Sequence, residues 1–207
     1  MCGCLNTLRE FFVPLIKIYF DEAFTCLTSC SKDLNVGKQN KRTHSGNSPD
    51  ETLTLLIQTC HLIELNYKYD SGSFLQNDMF ETLCDPIADL FELTTIPKFD
   101  NFVENNLKPL ILEMDERSND DGLWQKLNYT LLMKTRSEQW QTRLAVLSVI
   151  ENLFDKMRER YLVILNDTIA FISELLEDEN ERVEQAAKRI VLRIEQLTGE
   201  SINEYLK

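Results

Sequence analysis

The sequence predicts an all-α fold, an α-solenoid of stacked antiparallel helical pairs, and three observations predict it. Apolar residues recur at steps of three and four along most of the 207 residues, and no segment shows the strict alternation of a half-buried strand. The six glycines and five prolines fall mostly between these periodic runs, which favours long helices over a sandwich or barrel rich in turns. Two related pentads, Thr142-Arg143-Leu144-Ala145-Val146 and Val183-Glu184-Gln185-Ala186-Ala187, lie 41 residues apart. Both carry small or β-branched residues where helices of a pair must approach closely. One helical pair cannot bury its apolar faces alone, so a repeat of this length implies stacking.

Composition narrows the function classes. A hydrophobic content of 43% supports a sizeable core, and a formal charge of −12 argues against a broad phosphate-neutralising surface while leaving room for a local basic strip. Cys2, Cys4, Cys26, Cys30, Cys60 and Cys84 lack the paired Cys-x-x-Cys spacing of a structural zinc site and read as reduced thiols of a cytosolic or nuclear protein.

Taken in order, Leu5, Leu8, Phe12, Leu15, Ile16, Tyr19, Phe20, Ala23 and Leu27 outline an amphipathic helix. Arg9, Glu10, Lys17, Asp21 and Glu22 interrupt it well short of the roughly 20 apolar residues a membrane span needs. A signal peptide's basic start and cleavage site are missing as well. Pro14 kinks or divides the helix. Phe11, Phe12, Phe20 and Phe24 point to several sides, as in a helix that has lost, or normally follows, an upstream repeat. From Ser31 to Asp50 the apolar pattern stops. Lys38, Lys41 and Arg42 there spell a nuclear address or a phosphate contact less well than they spell solvated charge.

Ser48 is placed to cap the next helix, with Pro49 at its first position and Glu51 completing a capping box. That helix runs from about Asp50 to Tyr67 through Leu53, Leu55, Leu56, Cys60, Ile63 and Leu65. Cys60 and His61 are adjacent in it, but neighbours on a helix diverge by about 100° and do not form a ligand or nucleophile pair. Phe74 to Leu93 is a further helical run, with Pro86 marking a start or bend. Asp100 to Met114 is the next, with Pro109 inside it, and the polar run from Asp115 to Gly122 closes the series.

Four helices in two pairs then fill Leu123 to Leu197. Trp124, Leu127, Leu131 and Leu132 face inward from the first. Glu138 to Lys156 is its partner through Leu144, Leu147, Ile150 and Phe154, with Arg143 and Glu151 facing outward. Tyr161 to Leu176 repeats the first role through Leu162, Leu165, Ile169, Ile172 and Leu176. Asn180 to Leu197 repeats the second, and Gly199 supplies its stop. The tail from Ser201 to Leu206 reads as a terminal turn or cap.

No residue reads as catalytic, cofactor-binding or metal-ligating, and the partner-binding residues are unknown. The acidic run Glu177-Asp178-Glu179-Asn180-Glu181 lacks the alternating ligands and central glycine of a calcium loop, and suits a helix N-terminus instead. Asn128-Tyr129-Thr130 and Asn166-Asp167-Thr168 spell glycosylation acceptors, inactive without a secretory route. Phosphate loops, dinucleotide fingerprints, zinc-protease motifs and a Ser/His/Asp arrangement are missing; the second histidine, His44, lies in the polar loop. The chain therefore reads as a non-enzymatic binding scaffold without cofactor.

The repeat length lies in the range of HEAT or armadillo pairs. Asp120-Asp121-Gly122-Leu123-Trp124-Gln125-Lys126-Leu127-Asn128-Tyr129 sharpens this, followed by Leu131-Leu132-Met133-Lys134-Thr135-Arg136, Thr142-Arg143-Leu144-Ala145 and Tyr161-Leu162-Val163-Ile164-Leu165. Glu174-Leu175-Leu176-Glu177-Asp178-Glu179, Val183-Glu184 and Leu197-Thr198-Gly199-Glu200 continue the pattern, and Asp85-Pro86-Ile87 with the Val103 to Leu110 segment extends it upstream. From about Phe80 to Leu206 the chain resembles the C-terminal region of the HEAT repeat-containing protein 1 family, also described as the small nucleolar RNA-associated protein 10 family.

Periodicity and composition divide the chain into an N-terminal amphipathic helix over 1–31, a flexible polar loop over 32–50 and a C-terminal repeat region over 51–207, and the resemblance implies that the array is a HEAT-like α-solenoid. It implies a non-catalytic scaffold of the small-subunit processome in the nucleus and nucleolus, acting in pre-18S rRNA processing and ribosome biogenesis and linked to RNA polymerase I transcription. The implied partners are processome proteins, with a small nucleolar ribonucleoprotein and pre-rRNA in the same assembly and no membrane. A generic HEAT adaptor for transport or signalling is the alternative. The family's pattern of an inter-helix Asp and an Arg early in the second helix falls on Asp178 and Arg143, whereas Thr142 and Glu184 depart from it. At an accessible edge such a pair would contribute about 0–1 kcal/mol.

Overall fold

The computed structural model describes residues 21–34, 49–69, 77–117, 121–199 and 201. All secondary structure among the described residues is helical, and the chain divides into two compact units, Met1–Asn119 and Asp120–Lys207. The division falls inside the polar run from Asp115 to Gly122. Cys2, Cys4, Pro14, Lys38, Lys41, Arg42, His44 and Ser48 lie outside the described residues, as does the tail beyond Ser201.

In the first unit, helix α1 occupies described residues 21–34 and α2 spans Pro49–Tyr69, so residues 32–34 of the expected polar loop are helical. Helix α3 (Asn77–Asp89) carries Pro86 in its interior and ends in a 3-10 turn, Leu90–Glu92. Helix α4 (Phe99–Phe102) passes through a π turn, Val103–Leu107, into α5 (Lys108–Arg117). Pro109 explains the wide turn: its ring cannot donate a backbone hydrogen bond and clashes with the carbonyl four residues back, and a π turn opens the coil there. Helix α2 packs on α5, and Thr52, Leu56, Cys60, Ile63 and Tyr67 are its buried side chains, with Tyr67 meeting Phe80 of α3 edge-on; Leu55, expected in the core, is exposed.

Four free thiols, Cys26, Cys30, Cys60 and Cys84, lie in this unit. Cys26 Sγ is 3.7 Å from Cys30 Sγ, and the Thr59 hydroxyl donates to Cys26 Sγ at 3.2 Å. Burial pushes Cys30 and Cys60 up from 9.0 to about 12, so both are protonated and poorly nucleophilic at neutral pH. An unfolded thiol releases its proton above about pH 9 while the folded one retains it. Stability is therefore fully present below pH 9 and falls as pH rises toward 12. Urea unfolding at stepped alkaline pH should show that loss, and Cys30→Ser with Cys60→Ala should flatten it.

The second unit holds two helical pairs. Helix α6 (Asp121–Met133) continues into a 3-10 turn, Lys134–Arg136, and pairs with α7 (Trp140–Met157). A 3-10 segment, Arg158–Ile164, leads to α8 (Leu165–Glu174), which pairs with α9 (Glu181–Thr198). Across the pairs α6 lies on α8 and α7 on α9, the stack that a helical repeat requires. Trp124, Leu127, Leu131, Leu132, Leu147, Ile150, Val183, Ala187 and Ile190 are all buried in it. Asn180 caps α9 by accepting the Arg182 N–H at 3.1 Å, and Gly199 ends it at φ +72°, a conformation that favours glycine.

Two expectations fail here. Arg143 is buried and Leu144 half-buried, the reverse of the expected facing, because Arg143 finds a buried carboxylate. Residues 158–164 are 3-10 rather than α-helical, and Leu162 and Val163 face solvent. The cause is Tyr161, whose ring packs edge-on between Trp124 and Phe154 at 5.2 and 5.1 Å. Its hydroxyl donates to Asn128 Oδ1 at 2.7 Å, Asn128 Nδ2 donates to Thr168 Oγ1 at 3.3 Å, and Thr168 Oγ1 donates to the Ile164 carbonyl at 3.1 Å. Asn128 is thus a buried structural amide. Tyr161→Phe strands its acceptor and should cost about 1–3 kcal/mol in urea unfolding.

Candidate partner-binding surface

Among the described residues no group of three or more His, Cys, Asp or Glu could hold a metal ion, and no helix is long and apolar enough to cross a membrane. His61 pairs with Glu64 on the α2 surface while Cys60 is buried, so the two adjacent side chains diverge as their helical positions require. Interaction chemistry concentrates instead along the seams of the second unit.

The α7–α9 seam begins at Arg143. Its Nη2 donates to Asp178 Oδ1 at 2.8 Å, its Nε lies 2.8 Å from Oδ2, and its Nη1 donates to the Ser137 carbonyl at 2.9 Å. The two side chains are only 8% and 6% exposed, so this is a buried tie between repeats and not the accessible-edge pair anticipated. Hydrogen bonding to Asp178 first, and its charge next, raises Arg143 above its ordinary value, so the guanidinium stays charged. Asp178 Oδ1 also accepts the Asn180 N–H at 2.8 Å, which fixes the acidic run as a turn leading into α9.

Farther along, Arg182 lies 5.2 Å over the Trp140 ring. Arg193 donates to Glu151 Oε1 at 3.0 Å and to Asp155 Oδ1 at 2.6 Å, so Glu151 faces the seam. At its end Phe154, Asp155, Arg158, Arg193, Gln196 and Leu197 line an open pocket of about 310 Å³. Arg158 sits there at φ +49°, ψ −115°, a strained conformation for a residue with a Cβ.

The α6–α8 seam carries a different group. Arg136 clamps Glu174 with Nε donating to Oε2 at 2.9 Å, and its guanidinium lies 4.4 Å over Phe171, whose ring meets Tyr129 edge-on. Tyr129 and Met133 remain 53% and 42% exposed one helical turn apart, an apolar surface beside a charged clamp. Arg136 holds the Glu174 carboxyl below its ordinary range, so the contribution of the pair is present above that range and fades as acid protonates the carboxylate. Neither the pocket nor this platform was legible as a site in the sequence, since each joins residues from different helices.

No family model matches the chain. An uncharacterized protein of Arabidopsis thaliana is 33% identical over 96% of the chain, and HEAT repeat-containing protein 1 of Homo sapiens is 32% identical over 83% of it. U3 small nucleolar RNA-associated protein 10 of Aspergillus oryzae is 24% identical over 94%. The chain spans about a tenth of the length of these relatives, from 8% to 12%. With its helical pairs stacked as the repeat requires and its sequence related along most of its length, the chain belongs to the HEAT repeat-containing protein 1 family.

Proposed function

We propose that the chain is a non-catalytic scaffold segment in ribosome biogenesis, acting within the small-subunit processome during nucleolar pre-18S rRNA processing, with a link to RNA polymerase I transcription. The observation that carries this reading is its relation to proteins named for association with the U3 small nucleolar RNA, over 94% of the chain in one case. The stacked pairs support it physically. A solenoid turns each helix partly outward, so side chains such as Tyr129, Met133 and the arginines of α9 are available to partners without any reaction chemistry. Processome proteins are its partners in this reading, with the small nucleolar ribonucleoprotein and pre-rRNA in the same assembly.

We further propose an organisation close to the expected one: a helix through residue 34, a polar stretch from there to Pro49, and a repeat region that begins with α2. Depletion and rescue test the function. Restoring the chain should restore maturation of pre-18S intermediates, and a tagged copy should collect in the nucleolus. Unchanged intermediates on depletion, together with exclusion from the nucleolus, would reject the reading in favour of a transport or signalling adaptor.

A further inference from the structure

We propose that the pocket at the C-terminal ends of α7 and α9 receives a carboxylate side chain, flanked by aliphatic residues, from an acidic peptide segment of a partner protein. The inference rests on the scaffold reading for its need of a partner, but not on which assembly that partner belongs to. A volume of about 310 Å³ suits one or two side chains. Phe154 and Leu197 give it an apolar wall, and Arg158, Arg193 and Gln196 give it donors.

The charges select the ligand. Arg193 is already engaged by Glu151 and Asp155, whereas the Arg158 backbone N–H donates to the Phe154 carbonyl and its guanidinium has no hydrogen-bond or ion-pair partner among the described residues. One uncommitted guanidinium is left, and its bidentate donor geometry matches a carboxylate. The strained backbone of Arg158 adds a second observation. A conformation that glycine would adopt freely is held by arginine at the rim of the pocket.

A nucleic-acid backbone fits less well. Asp155 lines the same pocket, and the carbonyl ends of two helices add further negative potential; both oppose any anion, so the one guanidinium matches a single carboxylate and a run of phosphates is opposed more strongly. The Phe154 ring is buried edge-on against Tyr161 and offers no free face for a base.

The test uses the full chain and a fluorescein-labelled peptide of alternating Leu and Glu, read by anisotropy. A Leu/Gln peptide and a short oligouridine serve as the other probes. Saturable binding of the Leu/Glu peptide, shifting the amides of Gln196 and Leu197 in NMR spectra, is expected. Arg158→Gly suits the local backbone and should keep the thermal transition while weakening that binding about tenfold or more, as should the Leu/Gln exchange. An affinity unchanged in R158G, no saturable binding of the Leu/Glu peptide, or Arg158-dependent binding of oligouridine alone would each overturn the proposal. Since the probes are synthetic and the chain purified, such a failure is separate from a failed rescue of pre-18S maturation.

Discussion

Trp124→Ala is expected to destabilise the Asp120–Lys207 unit by about 3–5 kcal/mol, the range for removing a large aromatic from a packed core. The indole is fully buried and meets Tyr161 edge-on at 5.2 Å, so its loss empties the space on which the Arg158–Ile164 segment is folded. Tyr161 would lose one of its two aromatic neighbours, and its bond to Asn128 would lose its alignment with it. Trp124→Phe should cost much less. It keeps a ring in place and removes an indole N–H that has no hydrogen-bond partner among the described residues. Urea unfolding followed by circular dichroism distinguishes these outcomes. Equal losses in both variants would show that the indole packs otherwise than described.

Arg143→Met is expected to cost a similar amount, about 3–5 kcal/mol, because it leaves the Asp178 carboxylate buried without its cation. It also removes donors to the Ser137 and Glu138 carbonyls, which close the turn before α7. Asp178→Asn keeps an oxygen for the Asn180 N–H and should cost less. The pair is best read through a double-mutant cycle, in which the two changes together should cost less than their sum by about 0.5–3 kcal/mol. Strict additivity would mean that the two side chains do not sense each other. The comparison decides whether repeats here are joined by apolar stacking alone or also by a specific polar tie.

Helical character, the two pairs between Leu123 and Leu197, and the stop at Gly199 were legible because each is written in neighbouring residues: a period of three to four, a pentad that returns, a glycine after the last apolar position. Helical periodicity does not reveal the burial of Arg143, which depends on a residue 35 positions away. Its match to the family's polar position identified the correct partner, while helical periodicity assigned it the wrong face. The Arg158–Ile164 segment departs from its periodicity for the opposite reason. Leu162 and Leu165 have ordinary helical spacing, yet the larger Tyr161, satisfied through Asn128, takes the inward position and turns the smaller side chains away. The pocket had no sequence signature, since Arg158 and Arg193 meet only after α7 and α9 lie side by side.

The two pairs of the second unit are fastened on both sides, by Asn128 to Thr168 on one and by Arg143 to Asp178 on the other. A greased stack held by hydrocarbon alone could slip or flex like a deck of cards. Fasteners on opposite edges oppose twisting in either sense, so this unit is built to act as a stiff bracket, keeping whatever grips its rim at a constant angle.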